Sequence, residues 1–225
     1  MPGRAEFFQD RRDAGRQLAR ALQEASQESD IARDWHDGIV LGLPRGGVPV
    51  AYEVARALDL PLDILVVRKL GVAGVEELAM GAVASDGTVT INAAVLAEFN
   101  IPLEEIDAAA QREKGEIERR NGRPPAPVEG RMVILVDDGV ATGASMLAAV
   151  RAVRPRARKV TVAVPVATKE TCDLLRNEAD HVICVRVPRR FHSVGSFYED
   201  FAQTTDEEVC DLLAKAANER RWRVA

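Results

Sequence analysis

Two adjacent carboxylates, Asp137 and Asp138, follow directly on an apolar run, Met132-Val133-Ile134-Leu135-Val136. Behind them comes Gly139-Val140-Ala141-Thr142-Gly143-Ala144-Ser145, then a segment that reads as a helix to about Val153. Loop amides and the positive end of a helix favour a phosphate. A carboxylate pair about one sugar length away suits the two hydroxyls of a ribose, or a metal ion touching those hydroxyls. Together they describe a ribose 5-phosphate site. A second candidate is Leu43-Pro44-Arg45-Gly46-Gly47. Two glycines let a backbone approach a ligand closely, and the Arg45 fork matches phosphate oxygens. Arg68 and Lys69 follow a further apolar run, ahead of a glycine-rich stretch.

These residues need a scaffold that brings strand ends together. Gly38-Ile39-Val40-Leu41-Gly42-Leu43 reads as a buried strand, Val48 to Leu58 as a helix, and Leu62 to Val67 as the next strand. Strand, helix, strand is a βαβ unit and implies a parallel sheet. The alternation resumes with the strand ending at Val136, a strand from Val160 to Val164, a helix from Lys169 to Glu178 and a strand from His181 to Val185. Fold class is therefore α/β, a doubly wound sheet whose ligands bind at the carboxyl ends of its strands. Residues 10–26 read as an amphipathic helix. Residues 68–81, with Gly71, Gly74 and Gly81, read as irregular, and Asp86-Gly87 signals a hairpin. Asn92 is placed as the cap of a short helix and Asn100 as the cap of a long one, with Ile106, Ala110 and Ile117 on its buried face. Arg123-Pro124-Pro125-Ala126-Pro127 reads as a stiff linker within one domain. The chain closes on Thr205-Asp206-Glu207-Glu208, a capping box, and a helix with Val209, Leu212, Leu213, Ala216 and Ala217 as its stripe.

The segment from Val133 to Ser145 resembles the phosphoribosyl diphosphate (PRPP) motif of type I phosphoribosyltransferases: four apolar residues, two acidic ones, and a short loop ending in Thr-Gly and small residues. The resemblance implies that fold, over a core of about residues 36–185, with a small hood and closing helix in about 186–225, all in one domain, 1–225. It implies a glycosyltransferase that breaks the C1–pyrophosphate bond of PRPP and joins an acceptor nitrogen to C1. Asp137 and Asp138 would hold the ribose hydroxyls, and Mg²⁺ directly, through water or through those hydroxyls. The loop from Gly139 through Val140, Ala141, Thr142, Gly143 and Ala144 to Ser145 would hold the 5-phosphate. Arg45, Gly46 and Gly47 resemble the family's pyrophosphate loop, and Lys69 takes the place of a basic residue on its mobile loop. Arg45 and Lys69 would share catalysis with the two aspartates.

Val187-Pro188-Arg189-Arg190-Phe191 with Val194-Gly195 resembles the hood of hypoxanthine-guanine phosphoribosyltransferases, which makes Phe191 a candidate for stacking on the acceptor. Its spacing is one residue longer than that pattern. The plain alternative is that Phe191, Phe197, Tyr198 and Phe201 pack the tail on the sheet. Ala141 stands where the 6-oxopurine enzymes carry a proton-handling Asp, so hypoxanthine and guanine are expected to be poor acceptors. The loop is nearer to that of uracil phosphoribosyltransferases, and the acceptor subgroup stays open. Two other readings stand beside the enzyme: a PRPP- or nucleotide-sensing module of the same fold, and an unrelated α/β phosphate binder. Glu76, Glu77 and the N-terminal helix receive no role.

Composition agrees with these limits. The chain has 225 residues, 47% hydrophobic, 29% charged and only 4% aromatic, which excludes wholesale disorder. A net charge of −5 disfavours a general nucleic-acid binder. Arg151, Arg154, Arg156, Arg158 and Lys159 read as a solvated helix end. Cys172, Cys184 and Cys210 lack Cys-x-x-Cys spacing, and His36, His181 and His192 lack metal-ligand spacing. With no secretory leader and no membrane span expected, the reading is a cytoplasmic protein that takes PRPP and a small acceptor, a homodimer being common in such folds.

Overall fold

The computed structural model describes residues 7–28, 35, 37–72, 75–85, 87–121 and 126–224. Two sheets organise it. Strands β1 (Ile39–Gly42), β2 (Leu62–Ile64), β6 (Met132–Val136), β7 (Lys159–Val166) and β8 (His181–Arg186) form a parallel sheet in the order β2-β1-β6-β7-β8. Strands β3 (Val67–Val72), β4 (Val75–Ala84) and β5 (Val89–Ile91) form a separate antiparallel sheet.

The apolar run of β6 explains the layering. All five of its residues are buried. Met132, Ile134 and Val136 face one way, onto Leu18 and Leu22 of α1 (Arg11–Glu28) and Val50, Ala51 and Val54 of α2 (Gly47–Leu58). Val133 and Leu135 face the other way, onto Met146, Ala149 and Val150 of α5 (Ala144–Val153) and Leu175 of α6 (Lys169–Arg176). Helices on both faces leave no polar side on the strand, which is why it reads as a continuous run. The doubly wound α/β expectation is met.

Two elements of the small sheet depart from expectation. Residues 68–81 are not irregular: most belong to the β3–β4 pair, whose ladder shifts register on both sides of Gly71. Those shifts break the period-2 alternation by which a strand is recognised. Asn100 is the C-cap of α3 (Ala93–Phe99), in the left-handed conformation at φ 49°, and not the N-cap of α4 (Leu103–Asn121). Pro102 separates the two helices. Asn92 does cap α3, accepting from the Val95 amide at 3.4 Å. Ile106, Ala110 and Ile117 of α4 are buried against Leu70, Met80 and Val83 of the hairpin sheet. Gly74, Asp86, His36 and positions 123–125 of the linker lie outside the described residues.

Helix α7 (Asp206–Val224) closes the structure. Its Val209, Leu212 and Leu213 bury against Val48 and Tyr52 of α2, each contributing roughly 1.5–3 kcal/mol of apolar burial. Thr205 Oγ1 accepts from the Glu208 amide at 3.1 Å, one half of the expected capping box. No helix among the described residues is long and apolar enough to cross a membrane.

Candidate functional site

The carboxyl ends of β1 and β6 lie side by side, because the two strands pair in register with Gly42 opposite Val136. The loop after β1 therefore meets the acidic pair after β6. A Cβ on Gly47 would lie 2.7 Å from the Val136 carbonyl oxygen and 2.9 Å from Asp137 Cα, and one on Gly46 would overlap Asp138 Oδ2. These glycines are thus required for the loop to pack on the aspartates, whatever ligand they also approach. The Pro44–Arg45 peptide is cis.

Asp137 and Asp138 differ in their partners. Asp137 Oδ1 accepts from the Asp138 amide at 2.9 Å. Burial, then the neighbouring Asp138 charge, holds the Asp137 carboxyl well above the usual carboxylate range. Asp138 is also raised by burial, against the opposing pull of Arg11. The Arg11 Nε donates to Asp138 Oδ2 at 2.8 Å, with side chains only 12% and 13% exposed. Tyr198 donates its hydroxyl to the Asp138 carbonyl oxygen at 2.5 Å.

The phosphate-loop candidates form a turn into α5. Val140 donates its amide to the Val166 carbonyl at 2.9 Å, and the Ala141 carbonyl accepts from Thr171 Oγ1 at 2.6 Å. Gly143 takes φ +82°, a left-handed conformation that favours glycine, and no side chain caps the helix it begins. The first-turn amides of a helix have no partner within it, so an uncapped end is suited to an anion.

Arg45, Asp137 and Ser145 line one cavity of about 700 Å³, together with Arg68, Asp206 and Cys210. The Arg45 loop, Arg68 and the stretch from Asp137 to Ser145, far apart in sequence, are thus brought together. Lys69 is not among them. It lines a different cavity of about 130 Å³, beside Thr90, Ala144 and Arg151. Adjacent residues of a strand point to opposite faces, and it is Arg68 that reaches the larger cavity. Phe191 is also elsewhere: its ring lies 5.5 Å from that of Phe197, in a cluster with Phe8 and Tyr198. The backbone of Glu76 and Glu77 belongs to β4.

Comparison with known proteins adds to this geometry. The phosphoribosyl transferase domain model matches residues 8–201. The chain belongs to the phosphoribosyl transferase family. It is 42% identical over 217 residues to a Mycobacterium tuberculosis H37Rv protein named "Putative phosphoribosyl transferase Rv0571c". That alignment covers 94% of this chain and 47% of the relative, so the chain spans about half the length of the curated relatives it matches. The crystal structure of TT1426 from Thermus thermophilus is similar at a TM-score of 0.81 and 41% identity, covering 93% of this chain and 98% of that one. The family resemblance read from the PRPP motif is borne out.

Sequence reasoning missed Arg11 and Tyr198. Arg11 lies in the first turn of α1, where the helix dipole disfavours a cation. That misfit is a local sign that its partner lies elsewhere. Tyr198 belongs to the aromatic group singled out in the tail, but its contact with the Asp138 carbonyl has no local signature. The basic run from the last turn of α5 onward is largely matched by carboxylates: Arg151 with Glu178, Arg154 with Asp180, Arg156 with Glu129 and Arg158 with Asp37.

Proposed function

We propose that this phosphoribosyl transferase family member transfers the 5-phosphoribosyl group of PRPP to a nitrogenous acceptor and releases pyrophosphate. The observation that carries the reading is the shared cavity. Arg45, Arg68 and the stretch from Asp137 to Ser145 come from three separate segments, matched to the pyrophosphate, to a second cation and to the ribose 5-phosphate, and one cavity of about 700 Å³ receives them all. In the reaction the C1–oxygen bond breaks and pyrophosphate leaves with the electron pair. The acceptor nitrogen lone pair then forms the new bond to C1, and its proton passes to solvent or to a base.

Catalysis of this kind rests on positioning and on charge stabilisation at the leaving group. Asp137 would orient the ribose hydroxyls, the α5 amides would hold the 5-phosphate, and Arg45 would meet the pyrophosphate. Arg68 is better placed for that second cation than Lys69. Among the described residues no group of three or more His, Cys, Asp or Glu could hold a metal. The donor set fits an ion carried largely by the substrate, as Mg²⁺ usually is with phosphates. Asp137 and the free oxygen of Asp138 would meet such an ion, and it would neutralise charge on the departing pyrophosphate.

A sensing role has one observation in its favour. Ala141 supplies no acid or base, and its carbonyl is already taken by Thr171. The experiment that separates the readings is pyrophosphate release from PRPP and Mg²⁺ across a panel of purines, pyrimidines and small amines. Release with at least one acceptor, and little with hypoxanthine or guanine, is expected. PRPP binding without release from any acceptor would make the protein a sensor.

A further inference from the structure

The start of the described chain and the segment 197–202 meet over Asp138. Phe8 donates its amide to the Phe197 carbonyl at 2.8 Å, and Glu199 and Asp200 donate theirs to the Phe8 and Gln9 carbonyls at 2.8 and 2.9 Å. The Phe8 and Tyr198 rings lie 5.3 Å apart, and those of Tyr198 and Phe201 lie 5.0 Å apart. This clasp accounts for most of the aromatic cluster in the tail.

Arg11 is where the clasp reaches the acidic pair. Its Nε binds Asp138 Oδ2, its Nη1 donates to the Ala202 carbonyl at 2.5 Å, and its guanidinium carbon sits 3.9 Å from the centre of the Phe201 ring. Each of these contacts uses a different part of one planar group. The side chain is therefore fixed in direction as well as in charge. Asp138 Oδ2 is consequently confined between Arg11 and the Gly46 backbone, while Tyr198 holds the carbonyl of the same residue.

We infer that Arg11 is a positioning residue for the ribose end of the site: it fixes the Asp138 carboxylate so that the remaining oxygen faces the sugar, and it halves the charge that the acidic pair presents to a polyanionic ligand. The inference rests on the phosphoribosyl reading above and deepens it. Arg11 acts through Asp138 and not on the ligand directly. Its loss should therefore weaken ligands that carry a ribose and spare those held only by the loop at Arg45.

The test is calorimetric titration of the whole chain and its variants with three probes, ribose 5-phosphate, pyrophosphate and PRPP. Arg11→Met is expected to lose at least about tenfold in ribose 5-phosphate affinity, the loss typical of a charge-assisted contact. Its pyrophosphate affinity should stay within about twofold of the parent, on the same contact scale. Arg11→Lys keeps a cation beside Asp138 without the fork that also reaches Ala202, and should fall between the two. It carries the test if Arg11→Met does not fold. Equal losses for ribose 5-phosphate and pyrophosphate would reduce Arg11 to general structural support and overturn the inference. So would full ribose 5-phosphate affinity in either variant. A parent that binds pyrophosphate and PRPP but gains nothing from the ribose would also overturn it. A parent that binds none of the three would overturn the phosphoribosyl reading itself, and this inference with it.

Discussion

The two ends of the cavity are built differently. Next to Asp137, at the end proposed for the ribose, Asp138 is held by Arg11, by Tyr198 and by the Gly46 backbone, with 13% of its side chain exposed. At the end proposed for pyrophosphate, Arg45 is 41% exposed, and its ion-pair partner is Asp206, 3.8 Å away and 90% exposed. A pair so open to water contributes little, about 0–1 kcal/mol at most. One end is fixed before any ligand arrives, and the other has a cation free to turn. In the proposed reaction, which must hold a sugar still while a leaving group departs, this division would place rigidity at the ribose and freedom at the pyrophosphate.

The largest effect should come from the fixed end. Asp137→Asn is expected to lower PRPP affinity by about a hundredfold or more, because the lost contact is charge-assisted and lies in a sheltered site. The same change should raise thermal stability at neutral pH. The sign follows from burial: the Asp137 carboxyl is held well above the usual range, so the folded protein binds that proton more tightly than the unfolded chain. Stability is then lost as pH climbs through and above the ordinary carboxylate range. Melting curves should show the variant above the parent at about pH 7 and the two converging near about pH 4. A parent that melts higher at neutral pH would contradict the assignment. Asp138→Asn should give a smaller gain or none, since Arg11 opposes the rise at Asp138 and loses its anion in the variant. An isolated pair of ligand-facing carboxylates would not predict that asymmetry.

A smaller loss is expected at the phosphate loop. Gly143→Val puts a β-branched residue at φ +82°, and its Cβ would meet Thr171 Cγ2 at 3.0 Å. Ribose 5-phosphate binding should fall by about tenfold or more, with a stability cost of about 1–3 kcal/mol. Ribose 5-phosphate binding equal to the parent's would remove this loop from the phosphate site.

At the open end, Arg45→Ala should weaken pyrophosphate by roughly tenfold, ribose 5-phosphate much less, and leave the melting temperature nearly unchanged. Smaller still, Asp206→Asn frees Arg45 from a weak competitor and should strengthen pyrophosphate by no more than about threefold. Inhibition constants for pyrophosphate measured against PRPP read both. A large stability loss in either variant would mean that this end is as fixed as the other.

How much of this was legible follows the range of the contacts. Strand β6, the acidic pair and the turn into α5 occupy one contiguous stretch, so their order and composition carry the signal together. The loop at Arg45 was legible for the same reason, although its glycines proved to pack on Asp137 and Asp138. Arg11 lies 127 residues from Asp138, and no window along the chain contains both. Position along the chain favours Lys69, but which of two adjacent strand residues faces the cavity is set by the pairing of β3 with β4, which no local pattern shows. The motif that suggests Phe191 is one residue out of step, and the Phe191 ring packs beside Phe197.

The central claim is that one cavity holds the whole of PRPP, with its ribose phosphate at the Asp137 end and its pyrophosphate at the Arg45 end. Calorimetric titration of the parent with PRPP and Mg²⁺, repeated in the presence of saturating ribose 5-phosphate or saturating pyrophosphate, tests it most directly. A single saturable site per chain is expected, with PRPP displaced by each half of itself. No binding of PRPP, or PRPP binding undisturbed by either half, would contradict it.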